Sequence, residues 1–273
     1  MIQSSCICSQ QPVQFDEVIV YKNETVFKRF EGTVIAKCRN CGVLKTFPAK
    51  QNTSYNPVQS RAELYEDHSE KFRIIFKPLA DAVCRFKNSG RVLDVGCSSG
   101  ILLEVLRERG FEVYGVEPHT TAYNAARKKF GNHITYGTAQ TLLKQSSQQF
   151  DVVIYNHVLE HIPDPVTELS TAKKLLRPDG VLVIGVPNTE NVIFMLRRKY
   201  WEPLMPNEHV WHFGMSYMKS LLAAQDFAIQ KILFEDDPRR DYPVLKRIYF
   251  GSLSFMNRLM GTGEAMLIVA ALH

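Results

Sequence analysis

No apolar run in the sequence approaches the roughly 20 residues needed to span a bilayer. The first residues, Met1-Ile2-Gln3-Ser4-Ser5-Cys6, lack the basic flank and apolar stretch of a secretion signal, so the expected compartment is the cytoplasm. There is no internal repeat and no low-complexity tract, which excludes solenoid arrays. A basic tail or stripe is also missing. The net charge of +5 is spread along the chain, with local clusters only at Arg197-Arg198-Lys199 and Arg239-Arg240, short of what argues for a nucleic-acid partner. Cysteine is scarce beyond residue 41, where only Cys84 and Cys97 occur, whereas Cys6, Cys8, Cys38 and Cys41 crowd the start. In a reducing compartment such a cluster favours a metal over disulfides. Apolar material is plentiful, at 45% of 273 residues, enough for a full core plus a small accessory module.

The first 50 residues are rich in β-formers: Val18-Ile19-Val20-Tyr21, Thr25-Val26-Phe27 and Val34-Ile35-Ala36. Turn signals at Lys22-Asn23-Glu24 and Glu31-Gly32 separate them, and a small β-sheet module is expected. Pro48 to Pro57 reads as a linker. Phe72, Ile75, Phe76, Leu79, Val83 and Phe86 then recur at helical spacing, with Pro78 expected to kink or split the helix.

From Arg91 short apolar strands alternate with helices. The strands are Val92 to Val95, Glu112 to Val116, Ile134 to Tyr136, Asp151 to Tyr155 and Val181 to Val186. Gly110 and Gly131 close two of the helices, and Asp164-Pro165 opens another. Near-continuous apolar strands between helices predict a doubly wound parallel sheet. A capped helix from Ser216 to Gln225 follows, then strands at Ala228 to Phe234 and Met266 to Leu272. With no helical crossover read between them, these two are expected to pair antiparallel.

The strand ending in Asp94 runs into Gly96-Cys97-Ser98-Ser99-Gly100 and a helix, placing a glycine turn at the carboxyl edge, where ligands of open α/β sheets bind. The next strand ends in Glu117, about 20 residues beyond Gly96, where a carboxylate can accept bonds from both hydroxyls of a ribose. The G-x-G-x-x-G fingerprint of a dinucleotide site is absent, and Asp94 would repel a diphosphate. The loop suits a nucleoside ligand carrying positive charge and no phosphate.

These residues resemble class I S-adenosylmethionine-dependent methyltransferases over roughly Arg91 to Phe234. Leu93 to Gly100 is similar to the family's first motif, with Ser98 where a glycine usually sits, and Gly115-Val116-Glu117-Pro118 to its ribose-binding motif. Phe150 to Pro165 resembles the segment ending at the reaction centre, and Leu175 to Gly180 the turn into the fifth strand. The resemblance implies a Rossmann-like seven-stranded α/β sheet with an antiparallel C-terminal strand. It also implies S-adenosylmethionine held by Asp94, Gly96, Cys97, Ser98, Gly100, Glu117, Pro118, Gln140 and Asn156, with Gln140 replacing an adenine-contacting acid. Glu208-His209-Val210-Trp211-His212-Phe213 resembles a segment of bacterial members that modify sugars, lipids or other small hydroxylated acceptors.

Transfer to an oxygen needs the nucleophile, methyl and sulfur in line and a base for the acceptor proton. His157, His161 and His209 are the candidate bases, Glu160 could orient one of them, and His212 between Trp211 and Phe213 reads as structural. A divalent cation at His157, Glu160 and His161 is the alternative, opposed by the adjacency of the last two on a helix. The Asn/Asp-Pro-Pro-aromatic tetrad of nucleobase amine methyltransferases is absent after the fourth strand.

Cys38-Arg39-Asn40-Cys41-Gly42 has the form of a zinc knuckle, and Cys6-Ile7-Cys8 supplies a second pair with one intervening residue where two are usual. The expected organisation is therefore a zinc-ribbon-like module over 1–50, a linker and helical lid over 51–90, and a methyltransferase domain over 91–273. The expected activity is O-methylation of a sugar, glycan precursor or other small hydroxylated metabolite, with RNA methylation or a non-catalytic zinc-ribbon binding protein as alternatives.

Overall fold

A computed structural model describes residues 1–22, 25–48, 67–237 and 239–273. The expected linker falls outside these residues from position 49 onward, as do Asn23 and Glu24 of the expected turn.

The central strands β5 (Arg91–Val95), β8 (Phe150–Asn156) and β9 (Leu176–Pro187) are buried on both faces because alternate residues point to opposite sides of the sheet. Leu93, Val95, Val153, Tyr155, Leu182 and Ile184 enter one core. It is covered by α4 (Ala139–Gln145), α5 (Pro165–Leu175) and α7 (Met215–Ala224). Val92, Val152, Ile154, Val181 and Val183 enter the other, beneath α1 (Ser69–Phe86), α2 (Ile101–Arg107) and α3 (Thr120–Phe130). Pro78 does not split α1. It lies on the exposed side, where water reaches the carbonyl that loses its partner.

With β6 (Glu112–Glu117), β7 (Ile134–Tyr136), β11 (Phe227–Glu235) and β12 (Ala265–Leu272), the strand order is β11-β12-β9-β8-β5-β6-β7. The strands from β9 to β7 are parallel, and β12 is antiparallel to both its neighbours. This is the expected Rossmann-like sheet, with the chain reversing direction of travel between β5 and β8. Gly110 and Gly131 close their helices at positive φ, and Asp164 caps α5 by accepting from Thr167 N–H at 3.0 Å. Ser216 is not the cap of α7; its N–H and hydroxyl both donate to Glu190.

Between β11 and β12 lies a helix the sequence reading missed, α8 (Val244–Leu259). It leaves the antiparallel pairing intact because β11 ends, and β12 begins, at the same edge of the sheet, so α8 lies along that edge and is not a crossover.

The N-terminal sheet comprises β1 (Ile2–Cys6), β2 (Ser9–Val20), β3 (Val34–Cys38), β4 (Leu44–Phe47) and a fifth strand from far along the chain, β10 (Trp211–His212). Thr25-Val26-Phe27, read as a strand, belongs to a 3-10 turn over Thr25–Phe30. A third core joins Ile19, Tyr21, Ile35 and Leu44 to α6 (Val192–Arg197), Trp201 and the inner face of α8. Among the described residues no helix is long and apolar enough to cross a membrane.

Candidate active site

After β5 the backbone turns through Gly96, Ser98 and Gly100, all at positive φ (74°, 49° and 84°). A Cβ at Gly96 would sit 2.7 Å from Val158 Cγ2, and one at Gly100 2.7 Å from Phe130 Cε2, so both positions need glycine for space as well as handedness. Ser98 holds a left-handed conformation that costs a non-glycine residue about 1–2 kcal/mol. Its N–H donates to Glu117 Oε2 at 2.9 Å, tying the loop to the end of β6.

Glu117 is 3% exposed, and its Oε1 accepts from the N–H of His119 at 2.9 Å. The His119 Nδ1 also lies 3.0 Å from Oε1; a carboxylate has about four lone-pair sites, so Oε2, which accepts only from Ser98 among the described contacts, keeps capacity for a further donor. Asp94, also buried, has its carboxyl pushed up to about 8, first by burial and then by the nearby Glu117 charge. Such an acid asks for a cationic partner. The hydroxyls of Ser98 and Ser99 are buried without a hydrogen-bond partner. Orphaned hydroxyls, a glycine cradle and a buried acid pair fit a cationic nucleoside bound at the point where strand direction reverses. Asn156 ends β8 beside this loop and is half-buried, Pro118 and Gln140 are exposed, and Cys97 is buried with its Sγ filling the space beneath Gly115. Cys84 is half-buried against the second core.

His157 follows Asn156 at φ 55°, and its N–H bonds Gly185 O at 2.8 Å. That geometry leaves its ring about half exposed while Nδ1 lies 3.3 Å from Glu160 Oε1. Glu160 is 1% exposed, and its Oε2 has no partner. Burial pushes the Glu160 carboxyl up, but the His157 hydrogen bond and the neighbouring imidazoles outweigh it and hold the group below the ordinary carboxylate value. His209 is buried with Nε2 3.9 Å from Glu160 Oε1, and burial keeps its imidazole well below the usual value. His161 has Nδ1 3.1 Å from Glu208 O, and its ring packs edge-on against His209. Ligand atoms of Glu160, His161 and His209 lie within 4.8 Å of one another. The expected cation set of His157, Glu160 and His161 is thus regrouped. Glu160 and His161 are adjacent in a 3-10 turn, and it is His209, from beyond β9, that takes the place of His157 in the group. His212 is buried, held down to about 3 by that burial, and its Nε2 meets Thr46 Oγ1 at 2.8 Å.

The Thr46–His212 contact had no sequence signal. It continues through Thr46 N–H to Val210 O and Val210 N–H to Glu160 O, linking β4 to Glu160 by main-chain bonds. A separate groove of about 870 Å³ between the N-terminal sheet and α7, lined by Lys37, Asn40, Thr189 and Tyr217 among others, does not include Asp94, Glu117 or His157.

The hairpins β1–β2 and β3–β4 bring the four cysteines together with Cys6 Sγ 3.7 Å from Cys41 Sγ and Cys8 Sγ 3.8 Å from Cys38 Sγ. No disulfide forms. A tetrahedron with zinc–sulfur bonds of about 2.3 Å has edges of about 3.8 Å, which the Cys6–Cys41 and Cys8–Cys38 pairs match, and all four sulfurs lie within 4.8 Å of one another. The short Cys6-Ile7-Cys8 spacing is accommodated at the β1–β2 turn. Burial, with the neighbouring thiols, pushes the Cys8 thiol up to about 12.

A family model described as a methyltransferase domain matches residues 68–232, more than half of the chain. The chain belongs to that family, the class I S-adenosylmethionine-dependent methyltransferases. It is 35% identical over 115 residues to a ubiquinone biosynthesis O-methyltransferase of Actinobacillus pleuropneumoniae, an alignment covering 39% of this chain and 49% of that one. The chain spans about half the length of the curated relatives it matches. Among solved structures, an S-adenosylmethionine-dependent methyltransferase from Archaeoglobus fulgidus superposes with TM-score 0.55 at 24% identity, over 76% of this chain and 98% of that one. The Burkholderia thailandensis 1,6-didemethyltoxoflavin-N1-methyltransferase, solved with S-adenosylhomocysteine, gives 0.53 at 16% identity over 92% and 98%. These structural likenesses establish the fold.

Proposed function

We propose that the chain transfers a methyl group from S-adenosylmethionine to a hydroxyl oxygen of a small acceptor. The observation that carries this reading is the His157–Glu160 pair beside the glycine loop. When bound, S-adenosylmethionine supplies an electrophilic methyl on a sulfonium. Asp94 would face its positive charge, Glu117 would accept from the ribose hydroxyls, and the loop from Gly96 to Gly100 with Asn156 would enclose it. Cys97, Pro118 and Gln140 complete the expected set.

His157 donates its Nδ1–H to Glu160, which leaves Nε2 as the acceptor. Nε2 would take the proton of the acceptor hydroxyl as its oxygen attacks, with S-adenosylmethionine supplying the methyl group and the sulfur that leaves with the bonding pair. Glu160 is then a positioning residue that also stabilises the imidazolium, with His161 and His209 packed around it. Relatives named for O-methylation in ubiquinone biosynthesis support oxygen as the acceptor atom and a small molecule as the acceptor class; a sugar or glycan precursor rests on the resemblance of the Glu208–Phe213 segment alone. A divalent cation on Glu160, His161 and His209 is the second reading, favoured by the orphaned Glu160 Oε2.

We further propose that Cys6, Cys8, Cys38 and Cys41 hold a structural zinc ion, as the sulfur spacing supports. The division into a module over 1–50, a linker and lid over 51–90 and a catalytic domain over 91–273 belongs to the same proposal.

The test is calorimetry with S-adenosylmethionine followed by incubation of the labelled cofactor with fractionated extract. Binding weakened in Glu117→Ala, and label in a small-molecule fraction, are expected; unchanged affinity in both Asp94→Ala and Glu117→Ala would remove the site assignment. Asp94 adds a pH signature. Its carboxyl is raised to about 8 in the free protein, so below that pH a bound cation must displace a proton. Affinity should therefore rise with pH toward 8 by up to about tenfold per unit and level off above. In Asp94→Asn that part of the slope should vanish, which calorimetry at several pH values will read.

A further inference from the structure

Helix α8 has two apolar faces, and the fold uses one. Its inner face, Phe250, Leu253 and Asn257, is buried. Asn257 Oδ1 accepts from Val192 N–H at 2.8 Å, its amide donates to Asp236 Oδ1 at 2.8 Å, and the Arg239 guanidinium lies 4.0 Å from the centre of the Phe250 ring. The helix is thus firmly mounted against α6 and the third core. Its outer face carries Leu245, Ile248, Phe255 and Leu259, which recur at helical spacing and are 82%, 61%, 61% and 73% exposed. Met195, Leu196 and Tyr200, at the end of α6 and just after it, are exposed as well. A stripe of this size left in water marks a contact surface.

Charge selects the occupant. The segment Val244–Leu259 contains Lys246, Arg247 and Arg258 and no acid, and Arg197-Arg198-Lys199 ends the helix it packs on. Among the described residues, neither Arg247 nor Arg258 is paired with a carboxylate. Both line a groove of about 620 Å³ along the helix, where Asp236 and Asp237 are already engaged by Asn257 and by backbone N–H groups. A second copy would set like charges against one another across the stripe, whereas an anionic surface complements them.

We propose that α8, with the exposed end of α6, docks on an anionic lipid bilayer, lying in the headgroup layer with Leu245, Ile248, Phe255 and Leu259 inserted. Because α8 is strung between the end of β11 and the start of β12, at the edge where β8 ends in Asn156, docking turns the loop edge of the seven-stranded sheet toward the membrane. The inference rests on the surface and not on methyl transfer.

The test is co-sedimentation of the full chain with phosphatidylglycerol–phosphatidylcholine vesicles and with phosphatidylcholine vesicles alone. Binding to the anionic vesicles that weakens with salt is expected. Leu245→Ser with Phe255→Ser should lower the partition by about 100-fold, and Arg247→Gln with Arg258→Gln by about 25-fold. Thermal melting should be unchanged in both pairs, since all four side chains are exposed. Equal binding to neutral vesicles, or no binding to either, would overturn the proposal. So would a dimer in equilibrium sedimentation that the serine pair abolishes, which would assign the stripe to a second copy.

Discussion

Replacing His157 with alanine is expected to lower kcat by about 10²- to 10⁴-fold, the usual contribution of a positioned general base, while the affinity for S-adenosylmethionine stays unchanged. The two effects separate because, among the described contacts, the bonds of His157 go to Glu160 and to the Gly185 carbonyl and not to Asp94 or Glu117. Its backbone is fixed by the Gly185 carbonyl and its ring by Glu160, so alanine removes the base without loosening β8. Glu160→Gln should cost less: the amide still occupies the space but cannot stabilise the imidazolium, so kcat falls and KM for the acceptor holds. Steady-state kinetics with the acceptor found in the extract experiment checks both. If His157→Ala keeps the rate, and turnover instead disappears with EDTA and returns with added magnesium, Glu160, His161 and His209 act as cation ligands and the base assignment fails.

The cofactor loop was legible in the sequence because its requirements are local. Gly96 and Gly100 are dictated by the hand of the turn and by Val158 and Phe130 above them, and the two acids fall at the ends of adjacent strands. The doubly wound sheet was legible for a similar reason, since β5, β8 and β9 bury both faces and leave no polar alternation. Helix α8 was hidden because its apolar residues divide between two faces, so no single stripe marks it. Thr25-Val26-Phe27 has β-branched composition but is too short to override the turn around it. The convergence of His209 on Glu160, and the Thr46–His212 contact across 166 positions, depend on how the N-terminal sheet recruits β10. No periodicity records that event.

Metal removal is the second large effect expected, because structural zinc contributes about 10–16 kcal/mol to the folding of small ribbon units. The N-terminal sheet buries Val13, Phe15, Ala36 and Val43 on the face that carries the cysteines, its other buried residues, Ile19, Tyr21, Ile35 and Leu44, packing on α6 and α8, and two of its hairpin turns consist of the cysteine pairs. Without a cation the Cys8 thiol, raised by burial, stays protonated, and the β1–β2 turn is held against the β3–β4 turn only by the sheet pairing and by bonds such as Lys45 Nζ to Ser5 O and Arg39 N–H to Gln14 O. Elemental analysis should find one zinc per chain, and a strong chelator or Cys38→Ser should lower Tm and increase proteolysis before residue 48. The loss should also reach the acceptor side. With β4 loosened, the bonds from Thr46 to His212 and Val210, and from Val210 to Glu160, lose their anchor, so kcat should fall. Binding of S-adenosylmethionine should persist, because Asp94 and Glu117 stand on β5 and β6 of the other sheet. A metal content near zero in protein prepared without chelators would end the zinc proposal. Parallel loss of cofactor binding on metal removal would show that the N-terminal sheet supports the whole domain and not the acceptor side alone.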